Sequence, residues 1–459
     1  MKRYKYNAPF VADASYILTL FQEANYQIYL VGGCVRDALL KRDIHDYDLC
    51  TSATPQQNLD LAKQHGITAI PTGLTHGTIT WHLHGQNYEI TTFRKDHDYK
   101  DFRRPEHVSY TTNFSEDVAR RDFTMNALGY NGQYIVDYVG GLDDIKERKV
   151  RCVGDPNIRF QEDALRILRA FRFGATLHFT IEKTTYKAMQ QHAHLLQHIS
   201  KERIQDEFVK ILESQQVDTL RKLKDANILD VLFPIFKETY HVRQQNSYHI
   251  YDVFEHMNVV FNASIGYPLP IRLALFFHDV KKKACQSEDP DGTTHFKGHA
   301  QASANYAKEI LHVYRFNKKL ISYVYKLIYF HDNYVTADIE TLRDFMYLLG
   351  GDYTLAKDVL LIQTLDNMGK SVQTQEINNA IIYEAITILA HMEQNHEVFT
   401  STGLAIDGND LKTLGYHGKQ IGTILHYLVK YVVHHQDKNN KNDLIEFIGG
   451  MKDDIFNRE

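Results

Sequence analysis

Asp46 and Asp48 flank Tyr47 in the stretch HDYDLCTSA, and on a strand a spacing of two sends both carboxylates to one face. Paired hard oxygen ligands suit Mg2+, which is held by one or two carboxylates together with substrate phosphates. This is the layout for two-metal phosphoryl transfer, in which one ion activates an attacking hydroxyl and both steady the in-line transition state. Glu89, in the alternating stretch YEITTF, offers a third carboxylate. Upstream, Gly32 and Gly33 stand where YQIYLVGG runs into VRDALL. The bare N–H groups of such a turn, and the helix N-terminus behind it, can approach phosphate oxygens. Taken alone, an Asp-x-Asp pair more often lines the solvated face of an edge strand, and a Gly-Gly turn says little. The weight falls on their order along the chain.

The elements that must position these groups follow from periodicity. Residues 10–24 space Phe10, Tyr16, Ile17, Leu20 and Phe21 as one face of a helix. A strand, a glycine turn, a short helix and a second strand follow through residue 53, with further strands expected at YEITTF and at Tyr134–Tyr138 before Gly140 and Gly141. After Phe160 the pattern becomes helical, in LRILRAFRF, ISKERIQDEFVKILE and later amphipathic stretches. The expected class is therefore α+β, a small mixed α/β head followed by an all-α remainder. The expected boundaries give a head at 1–150, a helical neck at 151–225, a helical body at 226–395 and a helical tail at 396–459.

Composition permits this. A chain of 459 residues that is 43% hydrophobic and 24% charged supports several packed domains and no wholesale disorder. The net charge of −5 argues against a general nucleic-acid coat. Local basic stripes remain open, with 13 Lys/Arg against 10 Asp/Glu from Arg151 to Asp225, and the pairs Arg103/Arg104 and Arg120/Arg121 upstream. Four cysteines without CxxC spacing indicate neither a disulfide framework nor a Cys-based zinc site. The N-terminus reads as neither signal peptide nor anchor, and no run of about 18 apolar residues occurs. A cytoplasmic setting away from membranes is expected.

In order, the glycine turn, the Asp46/Asp48 pair, RRDFTMNALGYN, EDALRILRAFRF and ERIQDEF resemble the motifs of the class II tRNA nucleotidyltransferase and bacterial poly(A) polymerase family. The resemblance spans at least residues 28–212 and implies a polymerase-beta-like head. It implies triphosphate contacts from Gly32, Gly33 and Arg36, Mg2+ held by Asp46 and Asp48, and ribose and phosphate contacts from Arg120, Arg121, Asp122 and Asn126. It further implies that Asp163 and Arg166 on the neck helix read the incoming base, with Arg169 nearby, while Glu202 and Arg203 buttress that helix. Three apart on a helix, Asp163 and Arg166 would share a face, or else form a surface ion pair. TTFRKDHDYKDFRRPEHVSY resembles the family's flexible loop. DYVGGLDDI departs from the family pattern at Tyr138 and Val139, which puts a turn in doubt.

Downstream, HIYDVFEHMNVV, LALFFHDVKKK and VLLIQTLDNMG resemble the H…HD…D pattern of HD-domain phosphohydrolases. The resemblance implies that His256, His278, Asp279 and Asp366 converge on a second divalent metal. Such donors suit Mn2+, Ni2+, Mg2+ or Fe2+, and His299 and His331 would enlarge the site to two ions. With 25 histidines an HD dipeptide arises by chance, so spacing must carry the inference. Lys281, Lys282 and Lys283 either attract phosphate or solvate a helix end. In the tail, Gly415, Gly418 and Gly422 would allow close approach to an RNA backbone or tighten helix packing.

Within the family, TGLTHGTITWHL, the complete loop segment and the glycine-bearing tail resemble the branch that adds C, C and A to the tRNA 3′ end from CTP and ATP. The alternatives are an enzyme adding only part of CCA, a poly(A) polymerase, or, from another class, a metal-dependent phosphohydrolase whose head only binds nucleotide. No long basic extension favours the poly(A) reading.

Overall fold

The computed structural model describes residues 1–7, 10–100, 104–246 and 248–450. They form two compact units, Met1–Pro234 and Ile235–Glu459. Arg103 lies outside the described residues.

The first unit is built on an eight-stranded sheet. In chain order its strands, and those of an adjoining ribbon, are β1 (Lys2–Lys5), β2 (Ile28–Val31), β3 (Tyr47–Thr51), β4 (Thr68–Gly73), β5 (Thr78–Leu83), β6 (Gln86–Thr92), β7 (Arg94–Lys100), β8 (Arg104–Tyr110), β9 (Gly129–Tyr130) and β10 (Tyr134–Asp137). The sheet order is β1-β10-β9-β2-β3-β6-β5-β4, while β7 and β8 pair separately as an antiparallel ribbon. Within the segment TTFRKDHDYKDFRRPEHVSY, Arg94–Lys100 and Arg104–Tyr110 thus form a two-stranded arm. β3 is central, antiparallel to β2 and parallel to β6. Tyr47, Leu49 and Cys50 are buried and Asp48 is exposed, so the polar side chain of this strand faces out of the core. Behind the sheet, Trp81 is fully buried against Phe21, with ring centroids 5.2 Å apart, and donates its indole N–H to Asn58 at 2.6 Å.

The turn after β10 forms with Tyr138 and Val139 in place. Asp137 accepts the backbone N–H groups of Val139, Gly140, Gly141 and Leu142, and Gly140 takes φ +82. A Cβ on Gly141 would lie 2.1 Å from the carbonyl oxygen of Thr124, so glycine is required there.

The neck departs from the expected geometry at one place. Helices span Pro156–Glu162 and Leu165–Leu177, and between them Asp163 is extended, with φ −141 and ψ 101. Asp163 and Arg166 therefore do not sit three apart on one helix. Helix Lys201–Leu212 packs against Leu165–Leu177.

In the second unit helices Val253–Ala263, Leu269–Phe277, His299–Val313, Lys318–Phe330 and Tyr353–Asn367 enclose an apolar core, and helices Lys419–His434 and Lys441–Gly450 close a smaller cluster around Leu411, Leu428 and Leu444. A Cβ on Gly415, Gly418 or Gly422 would meet nothing within 4 Å, so these glycines do not tighten helix packing. Gly415 and Gly418 instead hold positive φ, at +91 and +59. Among the described residues no helix is long and apolar enough to cross a membrane.

Candidate functional site

In the head, β2 ends in a turn at Gly32, whose φ of +73 starts helix Gly33–Leu39. A Cβ on Gly32 would stand 3.5 Å from Oδ2 of Asp48, so the bare turn lies directly against that carboxylate. The parallel register sets Asp48 opposite Glu89, and the two share one face of the sheet. Asp46 lies just before β3, exposed. Although Asp48 opens to solvent, surrounding protein, Glu89 and Asp46 raise its pKa, with Arg121 opposing them.

Four of the expected nucleotide-binding residues, Arg36, Asn126, Asp122 and Arg169, form one network. Arg36 donates to Asn126 Oδ1 at 2.8 Å, Asn126 donates to Asp122 Oδ1 at 3.5 Å, and Arg169 donates twice to Asp122 Oδ2, at 2.9 and 2.6 Å. Arg36, Arg169 and Arg172 also surround the Phe173 ring, at 5.0, 5.5 and 4.1 Å from its centroid.

Arg120 and Arg121 are joined by a residue that sequence reasoning missed. Asp117 is fully buried and accepts Arg120 on Oδ1 at 2.9 and 2.6 Å and Arg121 on Oδ2 at 3.2 and 2.9 Å. Its signal was the i+3 and i+4 spacing in EDVARR. Burial alone would raise its pKa, but Arg121 and Arg120 outweigh burial and hold it below the usual carboxylate range. Asp117→Ala is expected to destabilise the first unit by about 3–5 kcal/mol, because two guanidinium groups lose their buried partner. In the wild type this stabilisation is complete above the unfolded carboxylate pKa of about 4 and is lost as pH falls through the lower folded value. Urea unfolding of both proteins between pH 7 and pH 3 measures the effect, with the difference between them narrowing at the acid end.

In the neck, Asp163 and Arg166 each hold other partners. Arg203 donates to Asp163 at 3.3 and 2.8 Å, and Arg166 donates to Glu162 at 2.7 Å and to the carbonyl of Arg120 at 3.0 Å.

In the second unit His256, His278, Asp279 and Asp366 bring one ligand atom each to within 4.8 Å of one another, and Asp279, His299 and His331 form a second such group. Among the described residues the head carboxylates are not drawn into a group of this kind. His256 stands on helix Val253–Ala263 and Asp366 on Tyr353–Asn367, while His278 and Asp279 follow the end of Leu269–Phe277. Asp366 Oδ1 lies 2.9 Å from Nε2 of His256 and 3.4 Å from that of His278. Asp279 turns Oδ2 toward His278 at 3.2 Å and Oδ1 toward His299 at 3.2 Å, so it faces both groups. In all four imidazoles Nδ1 lies against a backbone carbonyl, of Gly369, Leu275, Phe296 and Ile328. An Nδ1–H donated there leaves the Nε2 lone pair turned inward, as a metal ligand requires. His278 Nε2 and both Asp279 oxygens are buried with no hydrogen bond of good geometry, which is the condition of a donor set fitted to a cation. Lys282 lies against Asp279 Oδ2 and Lys370 against Asp366 Oδ2, each as an ion pair at 2.7 Å. Burial opposes ionisation of both aspartates, yet His278 and Lys282 hold Asp279, and Lys370 and His256 hold Asp366, well below the usual range. A Cβ on Gly369 would lie 2.3 Å from His256 Nδ1, so this glycine makes room for the ring.

Residues 28–151 match the family described as the Poly A polymerase head domain, and residues 178–239 the family described as the probable RNA and SrmB-binding site of polymerase A. These two stretches are thus similar to domains of the class II nucleotidyltransferase family. The CCA-adding enzyme of Lactobacillus gasseri is 48% identical over 208 residues, which is 45% of this chain and 51% of its own. That of Oceanobacillus iheyensis is 46% identical over 232 residues, 50% of this chain and 56% of its own. The chain spans about half the length of the curated relatives it matches. Its fold is shared with the Bacillus stearothermophilus CCA-adding enzyme in complex with CTP, at TM-score 0.68 and 24% identity over 96% of this chain and 98% of that one. It is shared also with the Thermotoga maritima CCA-adding enzyme complexed with tRNA, at TM-score 0.61 and 19% identity over 98% of this chain and 100% of that one. Divalent-metal chemistry belongs to this nucleotidyltransferase family, and the buried His/Asp cluster of the second unit could hold a metal as well.

Proposed function

We propose that the protein adds C, C and A to the 3′ end of tRNA, using CTP and ATP. The observation that carries this reading is the register that sets Asp48 beside Glu89 on one sheet face, directly against the Gly32 turn. Asp46, Asp48 and Glu89 would hold Mg2+, which supplies activation of the attacking hydroxyl and charge stabilisation in the in-line transition state. Gly32, Gly33 and Arg36 would orient the triphosphate, and Arg120, Arg121, Asp122 and Asn126 the sugar and phosphate. Asp163 and Arg166, with Arg169 beside them, would read the base. The relatives named as CCA-adding enzymes support this reading over poly(A) synthesis. Free cysteines at all four positions fit a cytoplasmic setting. The test is to offer each NTP to tRNA ending before C, after C and after CC, and to sequence the products. Addition limited to A, to CC or to long A tracts would replace this reading by one of the alternatives.

For the second unit we propose an HD-type centre that binds a divalent metal through His256, His278, Asp279 and Asp366 and hydrolyses a phosphate ester. The inward Nε2 atoms and the Asp279 oxygens that lack well-formed hydrogen bonds support it. His278→Ala with Asp279→Ala is expected to abolish phosphatase or 2′,3′-cyclic phosphodiesterase activity and to spare nucleotide addition. Equal loss of both activities in a folded protein would contradict independent centres.

A further inference from the structure

The two acidic ligands of the body cluster are already neutralised by the protein. Lys282 and Lys370 are 5% and 3% exposed, and each places its ammonium 2.7 Å from one carboxylate, Asp279 or Asp366. Lys282 also donates to Gln244 Oε1 at 3.0 Å, and Lys370 to Asn367 Oδ1 at 3.0 Å, so both ammonium groups are fixed. Both lysines line a cavity of about 210 Å³ over the cluster, whose other charged residues are Lys297, Asp332 and Asp366. Counting Asp279 beneath it, three lysines stand against three aspartates, a balance of zero. Metal-ligating imidazoles are neutral. One divalent ion therefore leaves an excess of two positive charges, and a second ion leaves four.

Resting on the reading of this cluster as a metal centre, we infer that Lys282 and Lys370 make its metal binding depend on a phosphate-bearing anion, which the same lysines bind. The protein supplies too little negative charge for the ion, and a phosphate dianion restores the balance in the cavity both lysines line. The ammonium on Asp279 Oδ2 and that on Asp366 Oδ2 repel a lone divalent ion, and both become favourable once phosphate stands between them and the metal. Linkage then requires each ligand to tighten the other by the same factor. A second cavity of about 250 Å³ meets the first at His331, Tyr334, Asp366 and Lys370 and is bordered by Val335, Ile381 and Ile382. It gives the organic part of a phosphate ester a place beside Lys370.

The test titrates Mn2+ by calorimetry, with and without inorganic phosphate, into the full chain carrying Asp46→Ala and Asp48→Ala so that the head takes up no metal. Phosphate is expected to tighten Mn2+ binding by about tenfold or more, within the usual range of coupling of roughly 5- to 150-fold. Lys282→Gln or Lys370→Gln should bind Mn2+ alone more tightly and reduce the coupling to less than about threefold. Equal Mn2+ affinity with and without phosphate, measured without either lysine substitution, overturns the inference while leaving the metal centre standing. Absence of Mn2+ binding under both conditions overturns the metal reading and the inference together.

Discussion

Asp48→Ala is expected to abolish nucleotide addition, lowering turnover by several orders of magnitude, with the fold and tRNA binding nearly unchanged. The side chain is exposed on β3, so its loss opens no cavity and strands no buried partner. What is lost is the carboxylate beside Glu89 and the Gly32 turn, where the metal that activates the hydroxyl would be held. Asp46→Ala should act in the same direction. Single-turnover addition of CTP to tRNA lacking CCA, with filter binding of the same tRNA, separates the two effects. Retention of a tenth of wild-type turnover in both variants would contradict the assignment.

Asp163→Ala is expected to raise incorporation of UTP and GTP relative to CTP and ATP, and Arg166→Ala to weaken selection of both correct bases. Cytosine and adenine each present an amino donor beside a ring acceptor, which a carboxylate and a guanidinium complement. Uracil and guanine reverse that edge. Each reversed contact should cost about 1–3 kcal/mol, and two together several orders of magnitude in selectivity. Arg203 holds Asp163 through both carboxylate oxygens, so Arg203→Ala should relax selection in the same direction and less severely. Misincorporation in single-NTP and mixed-NTP reactions is the measurement. Unchanged discrimination with a lower rate in all three would mean that these residues position the helix and that the base is read elsewhere.

The strand, glycine turn, helix and strand around Asp48 were legible because alternation and the glycine pair are local signals. Strand β1 was not, because all four of its residues are exposed at a sheet edge and show no apolar alternation. The break at Asp163 was hidden because EDALRILRAFRF is helical in pattern throughout, and only the pairing with Arg203, forty positions away, shows where the carboxylate is held. Asp117 was missed, since its burial depends on two arginines folding over it. Lys282 was seen only as one of three lysines that could attract phosphate or solvate a helix end, and Lys370 was missed although it stands four residues after Asp366. The convergence of the histidines was expected from the resemblance to the HD pattern, while the carbonyls that orient their rings come from backbone positions that no side-chain pattern encodes.

Arg166 reaches from the neck to the carbonyl of Arg120, and Arg169 grips Asp122 two residues further along the head. These are latches on both sides of one short segment. They tie the neck helix to the head at two neighbouring points. The β7–β8 arm, paired apart from the main sheet, reaches the same segment, because Asp96 on β7 lies 3.6 Å from the Arg120 guanidinium.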